Sequence, residues 1–437
     1  MGCARALRRD RQRRGASLPA ASAGGVAGDA AAAAEAVARQ SYGRLVAIIA
    51  SRSGDVAAAE DALADAFAAA LTDWPQHGVP DSPEAWLVTV SRRRMVDGWR
   101  RDGLHEAAQA SLALLMDEAQ ELREGAAFPD ERLRLMFACA HPALDESVRT
   151  PLMLQAVLGI DVARMAGAFI TSPAALSQRL VRAKAKIRDA GIPFEVPGPS
   201  ELPTRLRDVL DGIYAAFGTG WDGADGGDPQ RAGLVEEAIL LARAAVELLP
   251  QEPEPLGLLA LLLFCRARHA ARRDGRGAYV PLSEQDATGW NRADIEAAEA
   301  CLARAAALRR IGPYQLEAAI QSAHSQSLRA VPDRALLTLY DALLSVRPRA
   351  GAAVARIAVL ARVEGAAAAL RAMDQLDARA LHEYQPYWAV RAHLLAQTGS
   401  AKQAAQAMSA PSPCRMILRC ATSSRAGKRR CPRRKPA

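Results

Sequence analysis

The chain is predicted to be all-α, and three observations predict it. Half of its residues are hydrophobic, but only 5% are aromatic and alanine supplies much of the rest; alanine is the strongest helix former. β-Branched runs are scarce, and no alternating apolar–polar stretch marks a strand. Helix-start signals recur, with a capping hydroxyl directly before a proline at Ser82–Pro83 and again at Ser172–Pro173. With 437 residues the chain is long enough for two or three domains.

The helices follow in order. "EAVARQSYGRLVAIIA" spans Glu35 to Ala50, and Gly54–Asp55 opens "DVAAAEDALADAFAAALTDW". "PQHGVPDSP" breaks the chain before "EAWLVTVSRRRMVDGWRR". Residues 103–129 are weaker helix, with Glu106, Asp117, Glu118, Glu121 and Glu124 against a single arginine. Two helices, 131–140 and 145–158, flank His141–Pro142; a short one from Asp161 to about Ala168 leads through "FITS" into "TSPAALSQRLVRAKAKIR". "GIPFEVPGPSELP" reads as an interdomain linker. Beyond it helices are expected at about 204–218, 231–249, 254–271, 291–309, 313–327, 333–346, 350–363, 366–377 and 386–398. "AVLARVEGAAAALRA" at 358 matches "AHLLAQTGSAKQAAQ" at 392, an offset of 34 with Gly365 and Gly399 in register. That offset is the tetratricopeptide period of paired antiparallel helices.

The net charge of +8 is unevenly spread. Residues 1–28 carry +5 and residues 411–437 carry +9, which leaves the body at −6. Any affinity for nucleic acid must therefore come from local patches. The N-terminal "MGCARALRRDRQRRGASLPAASAGG" lacks the apolar core of an export signal, and no apolar stretch approaches the roughly 18 residues of a membrane span. The seven cysteines are odd in number and form no CxxC pair, as reduced cytoplasmic thiols would. Cys139 and His141 lack a second ligand pair for zinc. "DGADGGD" lacks calcium ligands at its third and fifth positions, and no Walker or Rossmann glycine pattern appears. His269, Asp274 and Asp286 sit by a basic turn rather than in a catalytic pattern. Neither metal, cofactor nor catalytic residue is expected.

The stretch 171–188 holds five cations and no acid. At about 100° per residue, Leu176, Leu180, Ala183 and Ile187 share one narrow buried stripe. Ser177, Gln178, Val181 and Arg182 point the other way, while Arg179, Lys184, Lys186 and Arg188 flank them. A short helix, a turn and a second helix with an outward polar face form a helix-turn-helix, whose second helix enters the major groove. Short or bidentate polar side chains suit base edges, and flanking cations suit phosphates. A solvated basic helix has the same composition, so this stretch alone leaves both readings open.

Upstream, Leu63, Phe67, Leu71 and Trp74 form an apolar stripe, with Asp61 and Asp65 one turn apart. Like charges at that spacing cost a helix a few tenths of a kcal/mol, a cost that a basic partner would remove and that an exposed acidic face would simply bear. Arg92, Arg93, Arg94, Arg100 and Arg101 form a basic run near Trp86 and Trp99. Cations and aromatics together hold single-stranded bases, although both tryptophans also suit a core.

In this order and spacing, several segments resemble a group IV (extracytoplasmic-function) sigma factor of bacterial RNA polymerase, of the subgroup with a C-terminal tetratricopeptide-like extension. "AEDALADAFAAALTDW" is similar to the core-binding helix of region 2, and "AWLVTVSRRRMVDGWRR" to the −10 helix. "LMFACAHPALDESVRT…LSQRLVRAKAKI" is similar to region 4. "HAARRDGRGAYVPLSEQDATGWNR" and "YAAFGTGW" are similar to stretches of the subgroup, with Thr219 where asparagine is expected.

The resemblance runs from about residue 35 to 408 and implies a domain order. Residues 1–28 would be a disordered basic extension, 29–104 region 2, 105–129 an acidic linker mimicking RNA, and 130–192 region 4. Residues 193–203 would be a proline-rich linker, 204–410 a helical regulatory domain, and 411–437 a disordered basic tail or the product of a shifted reading frame. Core polymerase would be held by Asp61, Asp65, Phe67 and Leu71. The −10 strand would be held by Arg92, Arg93, Arg94, Trp99, Arg100 and Arg101, with a flipped base in the loop Asp102 to His105. The −35 duplex would be read by Ser177, Gln178, Arg179, Val181, Arg182 and Lys186, and regulation would involve Arg272, Arg273, Asp274 and Arg276. The implied protein is a cytoplasmic, non-enzymatic initiation factor whose partners are core polymerase and promoter DNA, with a protein or peptide as the candidate partner of the C-terminal domain. The competing reading is a helix-turn-helix regulator that binds DNA alone, with a sensing C-terminal domain.

Overall fold

The computed structural model describes residues 23–101, 131–166, 169, 171–223, 229–275, 280, 282–325, 332–378, 381–382 and 384–408. Every long element among them is an α-helix, as the composition requires. The basic extension, the acidic linker, the loop Asp102 to His105 and the tail after 410 lie outside the described residues. The chain divides into two compact units, Met1–Leu234 and Val235–Ala437.

In the first unit, α1 (Ala23–Ser53), α2 (Val56–His77) and α3 (Pro83–Arg101) pack on one another. Asp55 caps α2, its carboxylate accepting the Ala58 N–H at 3.0 Å. The helix carries Pro75 in its final turn and stops at Gly78, whose φ of +91° only glycine adopts freely. Ala59, Leu63, Ala66, Ala70 and Trp74 are fully buried. The three alanines let neighbouring helices approach α2 closely, and Trp74 fills the end of the bundle.

Next come α4 (Glu131–Cys139), α5 (Glu146–Ala156), the short α6 (Val162–Met165) and α7 (Pro173–Asp189). Asp145, Asp161 and Ser172 cap α5, α6 and α7 in turn, each side chain accepting an N–H of the first turn. The buried stripe of α7 is Leu176, Leu180, Ala183 and Ile187, the four positions its periodicity marks.

The proline-rich stretch 193–203 does not separate the two units. The chain turns back, and α8 (Leu202–Gly223) packs on α4 and α5. Leu206, Val209, Leu210 and Ile213 are buried on its inner face. Gly212 permits the contact, because a Cβ there would stand 2.6 Å from the Met153 sulfur. The Arg149 guanidinium donates to the Asp208 carboxylate at 2.6 Å and to the Leu144 carbonyl at 2.9 Å, with both partners nearly buried. Removing one side of a buried pair leaves an uncompensated charge. Asp208→Ala is therefore expected to cost the first unit about 3 kcal/mol, read as a lower urea midpoint; Asp208→Asn should recover part of it through a neutral hydrogen bond.

The second unit begins within α9 (Pro229–Leu248), which is followed by α10 (Pro253–Ala267), apolar on almost every side, which α11 (Arg292–Ala307) and α12 (Pro313–Ser325) enclose. Then come α13 (Asp333–Val346), α14 (Ala350–Glu364), α15 (Ala366–Asp374), α16 (Gln385–Gln397) and α17 (Ala401–Met408), each packed on the next. Gly365 (φ +90°) turns α14 into α15, and Gly399 (φ +80°) turns α16 into α17. The two matching segments, offset by 34 residues, are thus the turns of two helical hairpins with glycine at equivalent places.

His324 on α12 sits among Arg362, Arg268 and Asp333. Burial pushes its pKa down to about 4, and the two arginines push the same way. The unfolded chain therefore takes up a proton at about pH 6.5 that the folded unit refuses until about pH 4. Stability of the second unit is full above pH 6.5 and falls as pH drops through that window. His324→Gln should flatten the dependence in thermal melts taken between pH 7 and pH 4.

Candidate nucleic-acid interface

The acidic face of α2 is exposed. Asp61 and Asp65 point to solvent, Phe67 is half-buried and Leu71 is 53% exposed. The four-residue apolar stripe expected on this helix is therefore split. Leu63 and Trp74 turn into the core, whereas Phe67 and Leu71 stay with the aspartates, because alanines rather than large side chains take the remaining inner positions.

On α3, Arg93 and Arg94 are exposed, but Arg92 is not a surface cation. It is 4% exposed, and its guanidinium reaches towards the Ile48 carbonyl of α1 at 3.5 Å. Arg92 is thus not part of the exposed basic run, because it falls on the same face of α3 as buried Val88 and Val96. The side chains of Trp99, Arg100 and Arg101 lie outside the described residues. Trp86 divides its surface, one edge against Trp74 with centroids 5.6 Å apart and the rest open. With Pro80, Asp81, Ser82, Thr89, Val90 and Arg93 it lines a concavity of about 570 Å³. Sequence reasoning placed a base-holding loop after α3 and did not foresee this concavity before it; the adjacent "VPDSP" and Trp86 were the available signal.

On α7, Ser177, Gln178, Val181, Arg182 and Lys186 are exposed together, and Val181 is 64% exposed. Arg182 is steadied by a bond from its Nε to the Gln178 carbonyl at 3.3 Å. Arg179 is half turned to α5, hydrogen-bonding the Ser147 hydroxyl with Asp145 3.9 Å away. Lys184 departs from its expected place among the phosphate-facing cations. It is buried, its ammonium 2.5 Å from the Glu60 carboxylate of α2. Burial pushes the Glu60 pKa up, and the lysine charge pulls against it. Arg188 is bonded to Asp189 at 2.8 Å, with Asp55 at 3.7 Å.

In the second unit, Arg272 closes a short 3₁₀ turn (His269–Arg272), and Arg273 and Asp274 follow it at the surface. Arg276 lies outside the described residues. The segment is tied at its base, where Asn291 N–H donates to the Ala267 carbonyl at 2.9 Å. Arg266 forks onto buried Asp294 at 2.6 and 2.9 Å and reaches Glu236 at 2.5 Å. Thr219, the departure from the expected asparagine, donates its hydroxyl to the Ala215 carbonyl within α8.

No group of His, Cys, Asp and Glu among the described residues could hold a metal ion. No described helix is long and apolar enough to cross a membrane.

The first three helices form a bundle with an exposed acidic face on the second and exposed arginines on the third. Residues 37–104, which embrace the second half of α1 and all of α2 and α3, match sigma-70 region 2. The chain belongs to the sigma-70 family, a non-enzymatic family whose region 2 binds core RNA polymerase and promoter DNA in transcription initiation. Residues 205–306 match a family of unknown function, DUF6596. Uncharacterized protein R00370 of Rhizobium meliloti (strain 1021) is 39% identical over 355 residues, which cover 79% of this chain and 83% of that protein. No solved structure matches the chain.

Proposed function

We propose that the chain is a cytoplasmic sigma factor of the extracytoplasmic-function type, with a tetratricopeptide-like extension that regulates it. The observation that carries this reading is the pairing of a region 2 bundle with a helix-turn-helix whose outer face is short, polar and cation-flanked. In this reading Asp61, Asp65, Phe67 and Leu71 hold the core enzyme. Arg93, Arg94 and the arginines at the end of α3 hold the melted −10 strand by charge, and Trp86 offers one unstacked base a surface in the concavity beside Arg93. Ser177, Gln178, Val181 and Arg182 read the −35 duplex, and Arg179 and Lys186 meet its backbone. The stretch carrying Arg272, Arg273, Asp274 and Arg276 is where a partner of the extension would act. A stand-alone helix-turn-helix regulator would have no use for a region 2 bundle, which makes it the weaker reading.

The test is transcription in vitro with bacterial core enzyme and candidate promoters. Asp61→Lys with Asp65→Lys is expected to abolish co-elution with core and all promoter-dependent transcript. Two lysines one turn apart repel as two aspartates do, so the melting temperature should barely move. Full transcription by this variant would remove the acidic face from the proposal.

A further inference from the structure

One end of the second unit exposes apolar and cationic side chains together. Four large apolar side chains are exposed among the described residues of that unit, and three of them are at this end. Leu248 and Val346 close α9 and α13, and Ile311, 77% exposed, stands in the turn between α11 and α12; the fourth, Leu240, lies midway along α9. Two contacts bring the three turns together. The Arg310 guanidinium donates to the Gln251 carbonyl and to the Glu252 carboxylate at 3.3 Å, and Arg347 lies over the Tyr314 ring, 5.3 Å from its centroid.

The turn that carries Ile311 is held firmly from beneath. The Glu254 carboxylate, in the first turn of α10, accepts the backbone N–H of Tyr314 at 3.0 Å and that of Gln315 at 3.3 Å. It also accepts the Gln315 side-chain amide at 3.2 Å, and the same amide donates to the Arg310 carbonyl at 2.8 Å. Gly312 makes room for this, because a Cβ there would overlap the Glu254 carboxylate. Arg309 has a φ of +54°, the one described residue other than glycine with a positive φ. Glycine takes that conformation without steric cost, so the chain keeps an arginine side chain here against the preference of its backbone. Strain of this kind points to a use outside the fold. A turn fixed in this way presents Ile311 to water with little freedom left for a binding event to remove.

The charge around these apolar groups has one sign. Residues 249–252, 308–312 and 347–349 carry Arg309, Arg310, Arg347 and Arg349 against a single acid, Glu252, which is bonded to Arg310. Guanidinium forks match carboxylates, and an apolar centre with a polar rim is the anatomy of a protein contact. Single-stranded nucleic acid would want exposed rings on which to stack, whereas Tyr314 is buried under Arg347. A bilayer surface is entered by the long apolar face of a helix lying in its plane, not by three turns.

We propose that this end of the second unit is a docking surface for an acidic amphipathic helix of a partner protein. Ile311 and Val346 pack on the apolar stripe of that helix, and Arg309 and Arg349 meet its carboxylates. The surface lies at the opposite end of α10 from the Arg272 stretch, 15 residues or about 22 Å away. It is therefore a second place of interaction, and it does not rest on the sigma reading above.

The probe is a fluorescein-labelled synthetic helical peptide with leucines spaced i, i+3, i+4 and i+7 and glutamates at its other positions. Its binding to the full chain is read by anisotropy. Saturable binding is expected, and it should disappear when lysines replace the glutamates or serines the leucines. Ile311→Asp should weaken the peptide about tenfold or more. Arg309→Gly should weaken it several-fold while the melting temperature holds or rises, since glycine favours the φ of +54° found there. The basic residues before 29 and after 410 also attract an acidic peptide, but both variants leave them unchanged. Affinity that neither variant lowers therefore overturns the proposal. Duplex DNA and vesicles of anionic lipid form the other arms. If Ile311→Asp weakens either of them as much as it weakens the peptide, the surface belongs to that ligand and the proposal fails. No measurement here uses core polymerase, so a failure of the sigma reading would leave the result intact.

Discussion

Trp74→Ala is expected to destabilise the first unit by about 3–5 kcal/mol, the range for deleting a fully buried large aromatic. Trp74 is among the largest completely buried side chains, and it closes the bundle where α2 meets α3 through Trp86. α2 itself cannot fill the space, because its inner positions leading to Trp74 are Ala66 and Ala70. Urea unfolding followed by circular dichroism should show the loss, with core binding falling in parallel as the acidic face loses its support. Trp74→Phe should cost much less. It keeps most of the apolar volume, and the indole N–H it removes is buried with no hydrogen-bond partner among the described residues. Equal costs for the two changes would show that the indole N–H does have a partner or that packing around the ring is loose.

Arg182→Ala should weaken recognition of the −35 element by about 1–3 kcal/mol, that of one bidentate base contact. Arg182 is exposed on α7 between Gln178 and Lys186, its guanidinium held along the helix by the Gln178 carbonyl. The loss should fall on one base position, read by transcription from promoters varied across the −35 element. Lys186→Ala should instead weaken all promoters alike and lower the salt dependence of binding. A uniform loss from Arg182→Ala would move that residue to the phosphate backbone and leave base reading to Ser177, Gln178 and Val181.

What the sequence discloses about these surfaces follows from how local each signal is. The inward stripe of α7 and the hydroxyl that starts it lie within one helix, so periodicity and capping rules find them. The hairpin glycines at 365 and 399 are legible for the same reason. Lys184 was not legible as a buried cation, because its partner Glu60 is 124 residues distant and nothing on α7 marks the difference. Arg92 differs: it stands four residues from both Val88 and Val96, so the helical period marks it as the inward arginine although the run of identical residues hides it. The stripe on α2 is only partly legible, because alanine takes inner positions that spacing alone assigns to large apolar residues. For α8, periodicity shows that an apolar face exists but is silent on which surface covers it, and a proline-rich approach looks the same whether the chain departs or turns back.

That last point bears on how the gene could have been assembled. The residues matched to the family of unknown function begin at 205, yet α8, which opens that match, is folded into the unit that holds the helix-turn-helix. Joining two coding sequences at the prolines would have left the first half without its hydrophobic seal: Met153 and Met136 would lose their lid, and Arg149 its counter-ion. The appended half is thus no passenger that recombination could shed cleanly. Its first helix is collateral held by the other half.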